Sequence, residues 1–236
     1  MSVQFAGACH DEHGNCYTGG QAGDQTGTEV RITTAYTHSL GWRIFRCTNA
    51  NTAKWIGTNA KVMANNNNFG YDQGQRSTGY NAAKAAGWEP AKVATPCEVD
   101  CSSMVRTCVA CAMEKDIADF NTASEPSVLL SLGFKEITGT PLSQLQLGDI
   151  VCTKSKGHTE IVCSGTAQED AVVYYYAKYP GKSSSIVTAL NYIGAGSSFA
   201  ERKKIAAANG ISNYTGTATQ NTTLLNLLKS GQLKKA

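Results

Sequence analysis

Asp100-Cys101-Ser102-Ser103, followed 57 residues later by Gly157-His158-Thr159-Glu160-Ile161-Val162, is the pair of segments that decides the fold. The first puts a cysteine where an apolar helix begins, with Met104, Val105, Cys108, Val109 and Ala112 on one face of 101–113. A thiol at a helix N-terminus meets backbone N–H groups without intrahelical acceptors and the positive end of the helix dipole. Both favour the thiolate, the form that attacks carbonyls. The second segment puts a histidine at the head of a short strand, introduced by Leu147-Gly148-Asp149-Ile150-Val151. A neighbouring imidazole supplies the base and ion-pair partner that a cysteine nucleophile needs.

Working outward, residues 3–9 and 28–34 read as strands separated by turns at Asn15 and Gly19-Gly20, and Arg43 to Cys47 continues the strand pattern. Helical spacing over 54–64 ends in the Asn65–Asn68 run, and a second helix over 75–86 is closed by Gly87. Ser124-Glu125-Pro126 starts a short helix that Gly133 stops. Strands over 149–153 and 158–164 carry the histidine, and 165–182 reads as a strand and linker. Beyond it come helices over 184–193, from the capping box Ser198-Phe199-Ala200-Glu201 to Asn209-Gly210, and over 219–229. Leu190, Phe199, Ile205, Leu224 and Leu228 are among the residues expected in their core.

Asp-Cys-Ser opening a helix, then Leu-x-x-Gly-Asp-Ile-Val, then Gly-His-x-x-Ile-Val resembles the NlpC-type cell-wall cysteine peptidases and the related CHAP amidases and peptidases. Gly23-Asp24-Gln25-Thr26-Gly27-Thr28-Glu29-Val30, Trp42 to Arg46, and Gly70-Tyr71-Asp72-Gln73 with Arg76 resemble segments in lysins of Gram-positive phages and prophages. The resemblance covers roughly residues 5 to 165. It implies an α+β, papain-like domain with an antiparallel sheet, with Cys101 as nucleophile and His158 as general base. The strands precede the cysteine helix here, the reverse of the usual order. The implied domain is therefore circularly permuted, with its N-terminal strand beside the His158 strand.

The polar residue that fixes the imidazole in the family would fall on Gly7, a departure from the pattern. Glu12, His10 and Asp24 are the nearest replacements, with Glu12 preferred. Glu160 shares the strand face of His158, because side chains alternate. It is read as a contact to the amine of a stem peptide, with orientation of the ring as the alternative. An oxyanion hole needs two donors; the resemblance gives one to the Cys101 N–H, and Tyr71 or Gln73 could give the other. Cys9, His10, His13 and Cys16 do not have a usual zinc spacing. No metal and no cofactor is expected.

No apolar run approaches the roughly 18 residues that a membrane span requires. Met1-Ser2-Val3-Gln4 has no signal-peptide character, so synthesis in a bacterial host cytoplasm and release through a holin or lysis are expected. The nine cysteines are an odd count, expected to be mostly reduced. Eight Lys or Arg residues against Glu201 alone leave +7 from Lys178 onward, and 13 bases against 17 acids leave −4 in residues 1–177. We therefore expect a catalytic domain over 1–177 and a basic helical module over 178–236 for anionic wall polymers. No nucleic-acid motif is present.

The expected function is that of an endolysin, a peptidoglycan hydrolase that cleaves a stem-peptide amide through an acyl-enzyme. An endopeptidase is favoured over an N-acetylmuramoyl-L-alanine amidase. The alternatives are a catalytically inactive papain-like phage tail or wall-binding protein, and an acyltransferase or deamidase on the same scaffold.

Overall fold

The computed structural model describes residues 2–155, 157–168 and 175–236. The chain divides into two compact units, Met1–Asp170 and Ala171–Ala236.

In the first unit the strands are β1 (Gln4–Ala8), β2 (Val30–Thr34), β3 (Trp42–Cys47), β4 (Phe69–Tyr71), β5 (Cys97–Val99), β6 (Phe134–Ile137), β7 (Ile150–Thr153) and β8 (Thr159–Ser164). Six of them form one sheet in the order β2-β1-β8-β7-β3-β6, every neighbouring pair antiparallel. The N-terminal strand lies beside the His158 strand, as expected: Phe5 pairs with Val162 and Ala6 with Ile161. The 149–164 hairpin is thus the middle of a sheet large enough to be stable.

Helix α1 (Ala50–Met63) and helix α3 (Cys101–Met113) pack together on one face of this sheet, with α2 (Thr78–Ala85) against α3. The core between them holds Phe45, Ile56, Met63, Met104, Cys108, Ile150 and Ile161, all at most 1% exposed. The opposite face buries Phe5, Ile44, Leu145, Val151 and Val162. Ile161 and Val162 therefore point to different cores, and β8 is apolar on both sides, the pattern of a central strand. Gly57 lets α1 approach the sheet closely: a Cβ there would come within 2.8 Å of Val162 O. Helix α1 starts at Ala50, earlier than its apolar spacing indicates, because the Asn49 side chain accepts the Thr52 N–H at 2.8 Å and caps it.

Three strands lie outside the sequence reading. Strands β4 and β5 form a separate parallel pair, Gly70 opposite Glu98, and β6 completes the sheet edge after α4 (Glu125–Ser131). Part of the strand expected over 165–182 falls on 169–174, outside the described residues.

The second unit holds α5 (Ile186–Tyr192), α6 (Phe199–Ala208) and α7 (Ala218–Ser230) around Leu190, Ile205, Leu224, Leu225, Leu228 and Leu233. The Ser198–Glu201 capping box forms as expected. Phe199 does not join this core; it is half exposed, its ring lying against Tyr214.

Candidate active site

Cys101 is the first residue of α3. The helix starts there because Asp100 accepts the Ser103 N–H at 2.6 Å while Ser103 Oγ accepts the Asp100 N–H at 2.8 Å. Arg76 braces this cap, with Nε 2.7 Å from Asp100 Oδ2 and Nη2 donating to Ser102 Oγ at 2.8 Å and to Phe120 O at 2.6 Å. The Cys101 N–H, at the first helical position, has no acceptor within the helix.

His158 stands immediately before β8, with its ring beside the Cys101 thiol. The other partner is on the same strand face two residues on: His158 Nε2 lies 2.9 Å from Glu160 Oε1. Glu160 is 2% exposed and also accepts the Tyr36 hydroxyl at 2.8 Å. Gly7 explains how the carboxylate fits. A Cβ on Gly7 would sit 3.0 Å from Glu160 Cγ and Cδ, so the space a β1 side chain would take is filled by one reaching across from β8.

That arrangement does not use Glu12. Its carboxylate accepts the Gln21 N–H and lies 3.4 Å from His13 Nδ1, so the structure does not bring it to His158. Asp24 spends its carboxylate on the N–H groups of Thr26, Gly27, Thr28 and Glu29. His10 pairs with Arg31. Cys9, His10, His13 and Cys16 do not converge, although Cys9 lies near the His158 ring and with it and Glu160 makes a three-donor set, the donor atoms within 4.8 Å of one another. None of the nine cysteines is in a disulfide.

The 35–41 loop supplies residues that no local signal pointed to. Tyr36 and His38 of this loop and Trp42 at the start of β3 form an aromatic wall, His38 and Trp42 having ring centroids 6.1 and 6.2 Å from that of His158. Trp42 Nε1 donates to Tyr36 O at 2.7 Å and fixes the wall.

Beside Cys101 lies a cavity of about 310 Å³, bordered by Gln73, Arg76, Asn121, Thr122 and Gly157. Gln73 and Cys101 therefore border the same cavity, where a side-chain amide N–H can meet a bound group. Tyr71 is not open to it: it is 3% exposed and its hydroxyl donates to Cys16 O at 2.9 Å. A second hollow of the same volume, between Trp55 and Trp88, shares none of these residues.

Burial pushes the Cys101 thiol up, opposed by its hydrogen bond and attraction to His158. Burial works against the imidazolium too, but the hydrogen bonds to Cys101, Cys9 and Glu160 override it and push His158 up to about 12. The two directions pull apart, since a raised thiol is a poorer anion for the imidazolium. The histidine's direction is the one the geometry carries, because Glu160 provides a buried carboxyl partner independent of the thiol. A cysteine at a helix start, a protonatable imidazole, a carboxylate orienting it and two N–H donors can together perform acyl transfer.

A family model described as an endolysin-like domain matches residues 5–169, a span that includes Gly7, Cys101, His158 and Glu160. A curated relative, the L-alanyl-D-glutamate peptidase of Listeria phage A118, is 56% identical over 50 residues, 21% of this chain and 18% of that protein. The chain thus spans less than a fifth of the length of the curated relative it matches. No solved structure matches.

Proposed function

This chain belongs to the endolysin-like domain family, and from that premise we propose that it is a peptidoglycan hydrolase of the endolysin type, cutting a stem-peptide amide with Cys101. The observation that carries the reading is the Cys101–His158–Glu160 arrangement at the start of α3. Cys101, as thiolate, attacks the carbonyl carbon; the oxyanion takes hydrogen bonds from the Cys101 N–H and the Gln73 amide. His158 gives its proton to the departing amine, and the acyl group stays on sulfur. Water, deprotonated by the same imidazole, then releases it. Glu160 holds the ring with Nε2 toward itself, leaving Nδ1 for the thiol, and Tyr36 holds Glu160.

A glycine at position 7, where the family carries a polar residue, argues for an inactive protein, but Glu160 filling that space supports an active enzyme instead. The papain-like assignment rests on the resemblance and on the order of elements. An endopeptidase remains favoured, and the relative's name adds the L-alanyl-D-glutamate link to the candidate bonds. The matched 50 residues are fewer than the 57 that separate Cys101 from His158, so the cysteine chemistry is not carried over from that relative. We assign wall attachment to the basic helical unit.

Mass spectrometry of muropeptides after digestion tests activity and bond together. New termini within the stem peptide with the wild type, and none with Cys101→Ala, are expected. Digestion by a folded Cys101→Ala variant would overturn the mechanism, and intact muropeptides with the wild type would overturn the function.

A further inference from the structure

Glu125 is a buried carboxyl that the chemistry above does not use. It is the first residue of α4, before Pro126, where an acid ordinarily faces solvent and the helix N–H groups. Here it is 0% exposed. Its Oε1 lies 2.6 Å from Thr159 Oγ1, and the same hydroxyl oxygen lies 3.0 Å from Val151 O on β7.

A threonine hydroxyl has one proton to donate. Given to Glu125, it leaves Val151 O facing a lone pair at 3.0 Å. Given to Val151 O, it leaves the shorter contact to be made by a proton on Glu125. Only the second arrangement makes both contacts hydrogen bonds, running from Glu125 to Thr159 to Val151. Glu125 Oε2 has no hydrogen-bond partner among the described residues, a position far less costly for a neutral acid than for a carboxylate.

The charged and titratable groups around it come from four places: Asp100 at the cap of α3, Cys101 in α3, Cys152 on β7 and His158 before β8. Burial is the largest influence and pushes Glu125 up to about 8; Asp100 adds to this, and Thr159 and His158 oppose it.

We propose that Glu125 is held protonated in the resting enzyme as a positioning residue, pinning Thr159 between His158 and Glu160 and keeping a second negative charge away from the Cys101 thiolate. This rests on the reading of Cys101 as nucleophile. When Glu125 loses its proton, Thr159 loses its donor and an anion appears beside Cys101. The thiolate is then disfavoured on the alkaline side.

Glu125→Gln keeps a donor for Thr159 but cannot titrate. Two measurements on the full chain test the proposal: iodoacetamide alkylation of Cys101 followed by peptide mass spectrometry across pH, and the infrared difference between wild type and variant. Expected are matching alkylation rates near neutrality, with the variant faster by about three- to tenfold once Glu125 ionises in the wild type. The infrared difference should show the carbonyl stretch of a protonated carboxyl in the wild type, titrating away over the same range. Parallel alkylation profiles, or no protonated-carboxyl band, would overturn the proposal. If Glu125→Gln does not fold, Thr159→Val serves: removing the proton's acceptor should shift that band, and an unshifted band counts against the hydrogen-bond chain. Failure of wild-type Cys101 to react faster than the other cysteines would instead undo the nucleophile reading, while the infrared result would stand by itself.

Discussion

Gly7 and Glu160 occupy one space between β1 and β8: a Cβ on the glycine would sit 3.0 Å from the glutamate's Cγ and Cδ. The glycine thus leaves room for the carboxylate that lies 2.9 Å from His158 Nε2. Gly7→Ala should push the carboxylate off the imidazole, lowering wall lysis by about tenfold or more and stability by about 1–3 kcal/mol. Turbidity clearance and a thermal melt measure both. A wild-type lysis rate in this variant would mean that Glu160 is not needed where it lies.

Glu160→Gln should cost about a hundredfold or more in lysis, because the amide no longer stabilises the imidazolium. Glu12→Gln should change it by less than about twofold, since Glu12 contacts Gln21 and His13 instead. Tyr36→Phe, losing the 2.8 Å bond to Glu160, should fall between them. Initial lysis rates of the three variants decide the order, and a larger loss from Glu12→Gln would return the orienting role to that residue.

Cys101→Ala and His158→Ala should both fold and both be inactive. Cys108, 0% exposed on the core side of α3, is the contrasting thiol. Cys108→Ala should retain activity and lose about 1–2 kcal/mol of stability through the small cavity it leaves. Denaturant unfolding beside lysis rates separates the two kinds of loss.

Glu98 on β5 gives the fold a pH dependence. Burial first, then the neighbouring Glu29 and Asp72, push it from 4.5 up to about 8. The folded chain therefore binds a proton that the unfolded chain has released. Stability falls as pH rises from about 4.5 to about 8 and then levels off from this group. His158 has the opposite charge type: its contribution is full below 6.5 and is lost only as pH approaches about 12. Glu98→Gln should accordingly raise the melting temperature more at about pH 8 than at about pH 5. An equal shift at both would show that Glu98 does not titrate in this window.

A chain ending near residue 170 should still cleave soluble muropeptides but bind whole walls less well. Binding by the full chain should weaken with salt, since exposed charges are screened within about 8 Å at physiological ionic strength. Wall pull-down of both chains over a salt series measures this. Equal binding would assign α5, α6 and α7 to folding or assembly.

The places of Cys101 at a helix start and of His158 before a strand were legible because each carries a local signature, a helix cap in one case and a glycine before an apolar strand in the other. The face shared by Glu160 and His158 was legible as well, but the role of Glu160 depends on Gly7, 153 residues away. Tyr36 and His38 sit in a loop, where no periodicity marks a residue. Strands β4 and β5 have three residues each, too few to show alternation. Glu125 was masked by its own signal: Ser-Glu-Pro announces a helix start, and an acid in a first turn gives no hint that it is buried.

The pairing of β1 with β8 also sets a schedule. On a ribosome, residues 4–8 emerge long before residues 159–164, and the first strand waits unpaired on that side until the eighth arrives. A nascent chain that has already formed α3 has its thiol but neither the imidazole nor the carboxylate. The proposed site is therefore completed only at the end of this unit's synthesis, in one step, together with closure of the sheet. Pairing across so many residues also makes that step slow relative to the helices around it.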